Sequence, residues 1–349
     1  MEFSRGCGAR RDPRLASDSL DRGSRRRLDT HTGFAYDPAD AQLTLCHVCV
    51  ANAPVAGPAN RPSDRWHSAL MSTLRILSLT SLAMLAFAAN SLLCRAALDH
   101  TSIDATSFTG IRLISGAVML YLLVFVRQRR GPRTGHWWSA LALFAYAAGF
   151  SFAYLQLSAA TGALILFGAV QLTMMGYGIY SGERFNRYQW LGFVLAAGGL
   201  LGLLLPGASA PSAGGTLLMI GAGCAWGVYS LRGRSAVDPL AETCGNFLRS
   251  IPIALLFSLM FIDQLHLDTT GIVYAILSGA LASGLGYAIW YSVLPQLPST
   301  RAATVQLSVP VLTAFGGVLM LGEAIDARLV LTSAAILGGI ALVIRSRST

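Results

Sequence analysis

Residues Leu141–Leu205, LALFAYAAGFSFAYLQLSAATGALILFGAVQLTMMGYGIYSGERFNRYQWLGFVLAAGGLLGLLL, come round again as Leu281–Arg345. Overlaid at an offset of 140 without gaps, the two stretches share 14 of 65 positions. The identities reach beyond Leu and Ala. Gln156-Leu157 falls on Gln296-Leu297, Leu172-Thr173 on Leu312-Thr313, Gly182-Glu183 on Gly322-Glu323, and Gly198-Gly199 on Gly338-Gly339. A period this long marks a duplicated domain rather than a short solenoid repeat.

The repeat is almost wholly apolar, and so is most of the chain. Hydrophobic residues make up 54% and charged residues 12%, with a mean hydropathy of +0.55; soluble domains carry about 25% charged residues. Such a chain cannot cover a water-facing surface, so it reads as an all-α membrane protein. The formal net charge is +9, and every basic residue is Arg. The arginines lie between apolar runs and form no basic face, which excludes nucleic acid as a partner. The six cysteines are scattered and imply no disulfide framework.

Residues 1–70 are rich in Arg, Asp, Ser, Pro and Gly and read as a disordered extension, dispensable for insertion, with Met71 as a second plausible start. Cys46 and Cys49 within it have CxxC spacing, but a lone pair is a weak sign of zinc.

A bilayer core of about 30 Å takes roughly 20 apolar residues per helix. Ten runs qualify: 76–94, 108–126, 137–157, 159–181, 189–205, 214–231, 243–262, 271–294, 302–321 and 329–344. With the N-terminus in the cytoplasm, the inside loops carry 12 arginines and the outside loops two, Arg95 and Arg328, as the positive-inside rule requires. Both termini are then cytoplasmic. Five spans per copy is an odd number, so the second copy runs upside down relative to the first. The expected architecture is ten transmembrane helices as two inverted five-helix repeats, 71–206 and 212–349, a plan recurrent among secondary transporters.

At this point the chain resembles the drug/metabolite transporter superfamily, in its ten-span branch built from two EamA domains. The likeness rests on the two five-span halves, the Gly-Glu ending each fourth span, the Gly-Gly in each fifth span, and Arg112 and Arg249 near the start of each second span. It implies a multi-pass protein of the cytoplasmic (inner) membrane that exports small metabolites such as amino acids or toxic compounds. One departure stands out: Pro310 of the ninth span has Val170 as its counterpart, so a helix break is expected in one half only.

Candidate substrate-binding residues follow from cost. An Arg within a span costs roughly 2.5–3.5 kcal/mol on insertion scales and needs a partner or water, so Arg112 and Arg249 either attract an anion or bind carbonyl groups. Among neutral polar and aromatic residues, Asn90, Gln171, Trp226, Tyr229 and Gln306 are expected to line a cavity for an amphipathic solute, while most other Tyr and Trp residues are expected in interfacial belts. Glu183 and Glu323 sit at helix C-termini, where the dipole disfavours them. Arg184, Arg187 or Arg328 could offset that charge, and the pair reads as a gate or latch or as solvated helix ends; Pro310 joins them as a gating or structural residue. The mismatched pairs Leu166/Gln306 and Val170/Pro310 are where selectivity is expected to differ between halves.

The spans hold no mid-membrane Asp or Glu, which weakens proton antiport. No metal cluster, phosphate loop or acid–base pair suggests an enzyme, and no cofactor is expected. The expected partners are a small-molecule substrate and membrane lipid, with a homodimer left open. The alternatives are uptake or exchange of anionic or phosphorylated solutes on the same fold, and a non-transporting interaction subunit or enzyme.

Overall fold

The computed structural model describes residues 62–129, 131–132, 134–182, 184–205, 210–233, 236–297 and 305–346. Among them are ten helices and no strand. In chain order these are α1 (Pro62–His100), α2 (Ala105–Gln128), α3 (Trp137–Tyr154), α4 (Ala159–Tyr180) and α5 (Arg187–Leu204). The second set is α6 (Ala213–Arg232), α7 (Pro239–Leu259), α8 (Thr269–Gln296), α9 (Ser308–Leu321) and α10 (Ala327–Ser346). Six of them, α1, α2, α4, α6, α8 and α10, are long and apolar enough to cross a membrane, and α9 is a shorter apolar helix. The CxxC pair and Glu183 lie outside the described residues. The expectation of disorder through residue 70 is corrected at its end: α1 begins at Pro62. Pro suits the first helical position, and the apolar span beyond it carries the helix onward.

The polar punctuation between apolar runs turns out to be capping. Asp104, Ser158, Asn186, Ser212, Asp238 and Asp268 each accept hydrogen bonds from the first-turn amides of the helix that follows. Those amides have no partner within the helix. Asn186 completes a reciprocal box with Gln189. At the other ends, Gly182 (φ 90°) and Gly322 (φ 65°) follow α4 and α9 in the left-handed region, a conformation that glycine adopts without a Cβ clash.

The outer faces are apolar. Leu85, Val118, Leu122, Leu256 and Leu319 are each more than half exposed, whereas Asn90, Thr109, Arg112, Ser151, Gln171, Asn246 and Ser278 are buried. A polar interior behind an apolar exterior fits lipid rather than water around the helices.

The helices pair in a regular way. Contacts join α5 to α10, α2 to α7, and α4 to α9. In addition α3 meets α6 as α8 meets α1, α4 meets α6 as α9 meets α1, and α3 meets α7 as α8 meets α2. Exchanging the first five helices for the second five leaves these pairings unchanged. Several are backbone on backbone: a Cβ on Gly192 or on Gly339 would sit 2.5 Å from the other's carbonyl oxygen, and one on Gly279 would sit 2.1 Å from the Arg112 carbonyl. Gly223 and Gly227 likewise let α6 close on Ala169 and Thr173 of α4. Close approach through small residues is how helices associate where lipid offers no hydrophobic drive.

The α8 helix departs from this regularity. Leu277–Leu285 is a π-helical segment and Leu294–Gln296 a final 3-10 turn, whereas α3 is α-helical throughout. The π segment contains Gly279, the residue pressed against the Arg112 turn. Such insertions occur often at functional sites.

Candidate functional site

A cavity of about 770 Å³ lies among α1, α3, α4, α6, α8 and the end of α10, with Gln306 just ahead of α9. It reaches Gly233, Pro239 and Leu297, where α6 ends, α7 begins and α8 ends, and its lining stops at Ser91, Phe150 and Leu166. Beyond that depth the bundle is closed: Tyr154 and Leu157 are fully buried. The volume is that of a typical small-molecule site, about 300–1,000 Å³.

One wall is aromatic. Trp226 stacks on Tyr287 at 5.2 Å (21°) and on Tyr229 at 5.2 Å (26°), and packs at 4.8 Å against Tyr146. Phe87 joins Tyr287 to Trp290, at 5.7 and 6.2 Å. The polar lining among the described residues is neutral, with Asn90, Ser91, Gln171, Ser230, Ser283 and Gln306 as its main groups. No Asp, Glu, His or Arg is among the lining residues.

At its inner end the cavity meets a hydrogen-bonded chain. Ser278 Oγ donates to Asn90 Oδ1 at 2.7 Å, and Asn90 Nδ2 donates to the Tyr146 hydroxyl at 3.3 Å. Arg112 Nη2 donates to the same hydroxyl at 2.9 Å. Arg112 is 2% exposed, and its guanidinium lies over the rings of Phe150 (4.8 Å) and Tyr146 (5.2 Å). These cation–π contacts partly replace lost hydration. Its Nη1 has no hydrogen-bond partner, and neither has Ser283 Oγ.

The closed end is held by a different cluster. Glu323 accepts the Ala159 amide through Oε1 (2.8 Å) and Oε2 (2.9 Å), and Arg95 Nε lies 3.5 Å from Oε1, an ion pair rather than a hydrogen bond. Arg95 also donates to the Tyr154 carbonyl and pairs with Asp99, both at 2.9 Å. The charge of Glu323 is therefore offset by Arg95 and by the N-terminus of α4. Arg328, one of the candidates for that offset, donates to the Gly202 carbonyl at 2.9 Å. The left-handed Gly322 turns the chain so that the next residue reaches across to α4, whose dipole favours a carboxylate there. This is a physical reason for the Gly-Glu pair.

Of the residues singled out in the sequence, Asn90, Gln171, Trp226 and Gln306 line the cavity. Tyr229 and Arg112 stand behind it, the first stacked under Trp226 and accepting from Asn246 Nδ2 at 3.4 Å. Arg249 is apart. Its Nη1 donates to the carbonyls of Thr134 and Gly245, each at 2.9 Å, which pins the chain ahead of α3. Pro310 is buried just past an interruption at Leu307. Having no N–H, it leaves the Gln306 carbonyl without its helical partner, while α4 runs unbroken through Val170. Of the mismatched pairs, Leu166, Val170 and Gln306 face the cavity and Pro310 does not.

The expectation of interfacial belts fails for Tyr146, Tyr154, Tyr287 and Trp290, each at most 6% exposed. Hydropathy places a Tyr along a span but not around its circumference. Phe87, Ser278 and Ser283 went unnoticed, since a lone Phe or Ser in an apolar run carries no signal of its own.

A model of the EamA-like transporter family matches residues 74–205 and again 213–345. The chain belongs to the EamA-like transporter family. An uncharacterised protein of Pseudomonas aeruginosa is 59% identical over 278 residues, covering 79% of this chain and 97% of that one. The uncharacterised transporter YoaV of Bacillus subtilis is 23% identical over 248 residues, covering 67% of this chain and 85% of that one. A crystal structure covering 78% of this chain and 99% of its own superposes with a TM-score of 0.55 at 18% identity, a likeness of fold.

Proposed function

We propose that this EamA-family membrane protein is a secondary transporter that exports small amphipathic metabolites, amino acids or toxic compounds among them, by alternating access between two inverted five-helix halves, residues 71–206 and 212–349. The observation that carries the reading is a cavity whose lining runs to the Gly233–Pro239–Leu297 end of the bundle, while beyond its other end Arg95, Glu323 and the start of α4 are tied together. A carrier needs one end closed while the other is open. Helix pairings unchanged on exchanging the halves supply the symmetry by which the closed and open ends could trade places.

The arginine distribution assigns the termini, and with them the Gly233–Pro239–Leu297 end, to the cytoplasm of a cell membrane crossed ten times. An exporter loads from that side. The aromatic wall and neutral amides suit a solute with an apolar body. Exchange of phosphorylated solutes is less well supported, because Arg249 is committed to backbone carbonyls and no cation lines the cavity among the described residues.

The test is counterflow in liposomes containing the purified full chain. A panel of labelled amino acids, organic acids and toxic amphiphiles is used, with and without a pH gradient. Saturable exchange of at least one class is expected. No flux of any class by protein that is demonstrably folded would remove the transport reading.

A further inference from the structure

We infer that the inner end of the cavity is a subsite for a single carboxylate, so that the preferred solute is a monoanionic organic acid with an aromatic or apolar body. This rests on the transport reading for its physiological meaning, but the site is argued from geometry alone.

The Tyr146 hydroxyl accepts one hydrogen bond from Asn90 and another from Arg112. A phenol oxygen has one proton to give, and with its acceptor capacity taken by these two donors, that proton is left to donate. Tyr146 lines the cavity, so its O–H is available to a solute acceptor there. Ser283 also belongs to the cavity lining, and its buried Oγ has no hydrogen-bond partner. Asn90 Nδ2 gives one hydrogen to Tyr146 and keeps a second to donate. The inner end therefore presents donors.

Behind them stands a buried cation. Among the described residues no carboxylate forms an ion pair with Arg112. Its Nη1 has no partner. A buried guanidinium is ordinarily paired, and Arg112 shows only aromatic faces and one phenol. A solute carboxylate bonded to the Tyr146 and Ser283 hydroxyls would supply the missing negative charge, with Arg112 polarising the phenol that holds it. The Trp226–Tyr287 stack next to Tyr146 would take the apolar body. Among the described residues no acidic group lines the cavity to bind an ammonium, so a net anion suits it better than a cation.

The experiment is equilibrium binding to the purified full chain, read by tryptophan fluorescence and by thermal shift. The probes are phenylacetate, phenylacetamide and phenethylammonium. The carboxylate should bind at least about tenfold more tightly than the amide, the discrimination expected of a charge-assisted hydrogen bond near a fixed cation. Tyr146→Phe, which keeps the ring and removes the proton, should shrink that ratio to roughly threefold or less. Arg112→Met should do the same where it folds. Equal affinity for carboxylate and amide, tighter binding of the ammonium, or a preference untouched by Tyr146→Phe would each overturn the inference, as would no binding of phenylacetate. Counterflow is measured separately: carboxylate binding without flux would sink the transport reading and leave this site standing, and flux of other solutes without carboxylate preference would do the reverse.

Discussion

Arg112 and Arg249 occupy matching places in α2 and α7, yet they end in opposite situations. Arg112 is buried beside the cavity with one nitrogen unpartnered. Arg249 is half-buried and spends its Nη1 on two backbone carbonyls. The third helices differ in the same sense: α3 is regular, while α8 carries a π segment facing the Arg112 turn. The two copies thus share a packing plan and divide the chemistry. Symmetry serves the pairing of helices, and asymmetry serves the site, since one small solute offers one polar end.

That contrast can be broken experimentally. The largest effect should come from the shared plan. Gly339→Val drives a side chain into the Gly192 carbonyl, and is expected to cost at least about 3 kcal/mol and to abolish folded protein in detergent chromatography. Its neighbour Gly338 has nothing within 4 Å of a Cβ. Gly338→Ala should be neutral or stabilising, by up to about 1 kcal/mol of helix propensity, in the same assay.

Next comes the division of labour. Arg112→Met should lower flux per folded molecule by about tenfold or more. Arg249→Met should act mainly on stability, by about 1–3 kcal/mol, through carbonyls left without their donor. Counterflow and thermal unfolding measured on both variants separate the two, and equal flux losses would erase the contrast. Smaller still is Glu323→Gln, which keeps an acceptor for the Ala159 amide and loses the charge facing Arg95. It should cost about 1 kcal/mol or less and raise labelling at Ala159→Cys by a water-soluble maleimide. Unchanged labelling would mean that the Arg95–Glu323 pair does not hold that end shut.

Much of the frame was legible because it rests on local rules. Apolar runs of span length and the glycine after α4 and α9 are read one helix at a time, whereas the capping role of the polar residues between them showed only in the structure. The cavity was legible in part. Asn90 and Trp226 stood out as large or polar residues at matching positions, and Gln306 as polar where its counterpart is Leu166. Phe87, Ser278 and Ser283 did not, because α1 and α8 give them meaning only by meeting. Glu323 was noticed, but its partner was assigned to a neighbour in sequence; Arg95 comes from the first half, more than two hundred residues away.

The duplication, the membrane-protein class and the apolar helices were already in the amino-acid sequence, since these follow from composition and period. Which member of each matched pair faces the cavity was decided only by the tertiary structure. A helix repeats every 3.6 residues whatever surrounds it, so its pattern records that a side is polar. Whether that polar side meets a carbonyl, an ion pair or an open cavity depends on the helix packed against it, and here that helix often comes from the other half.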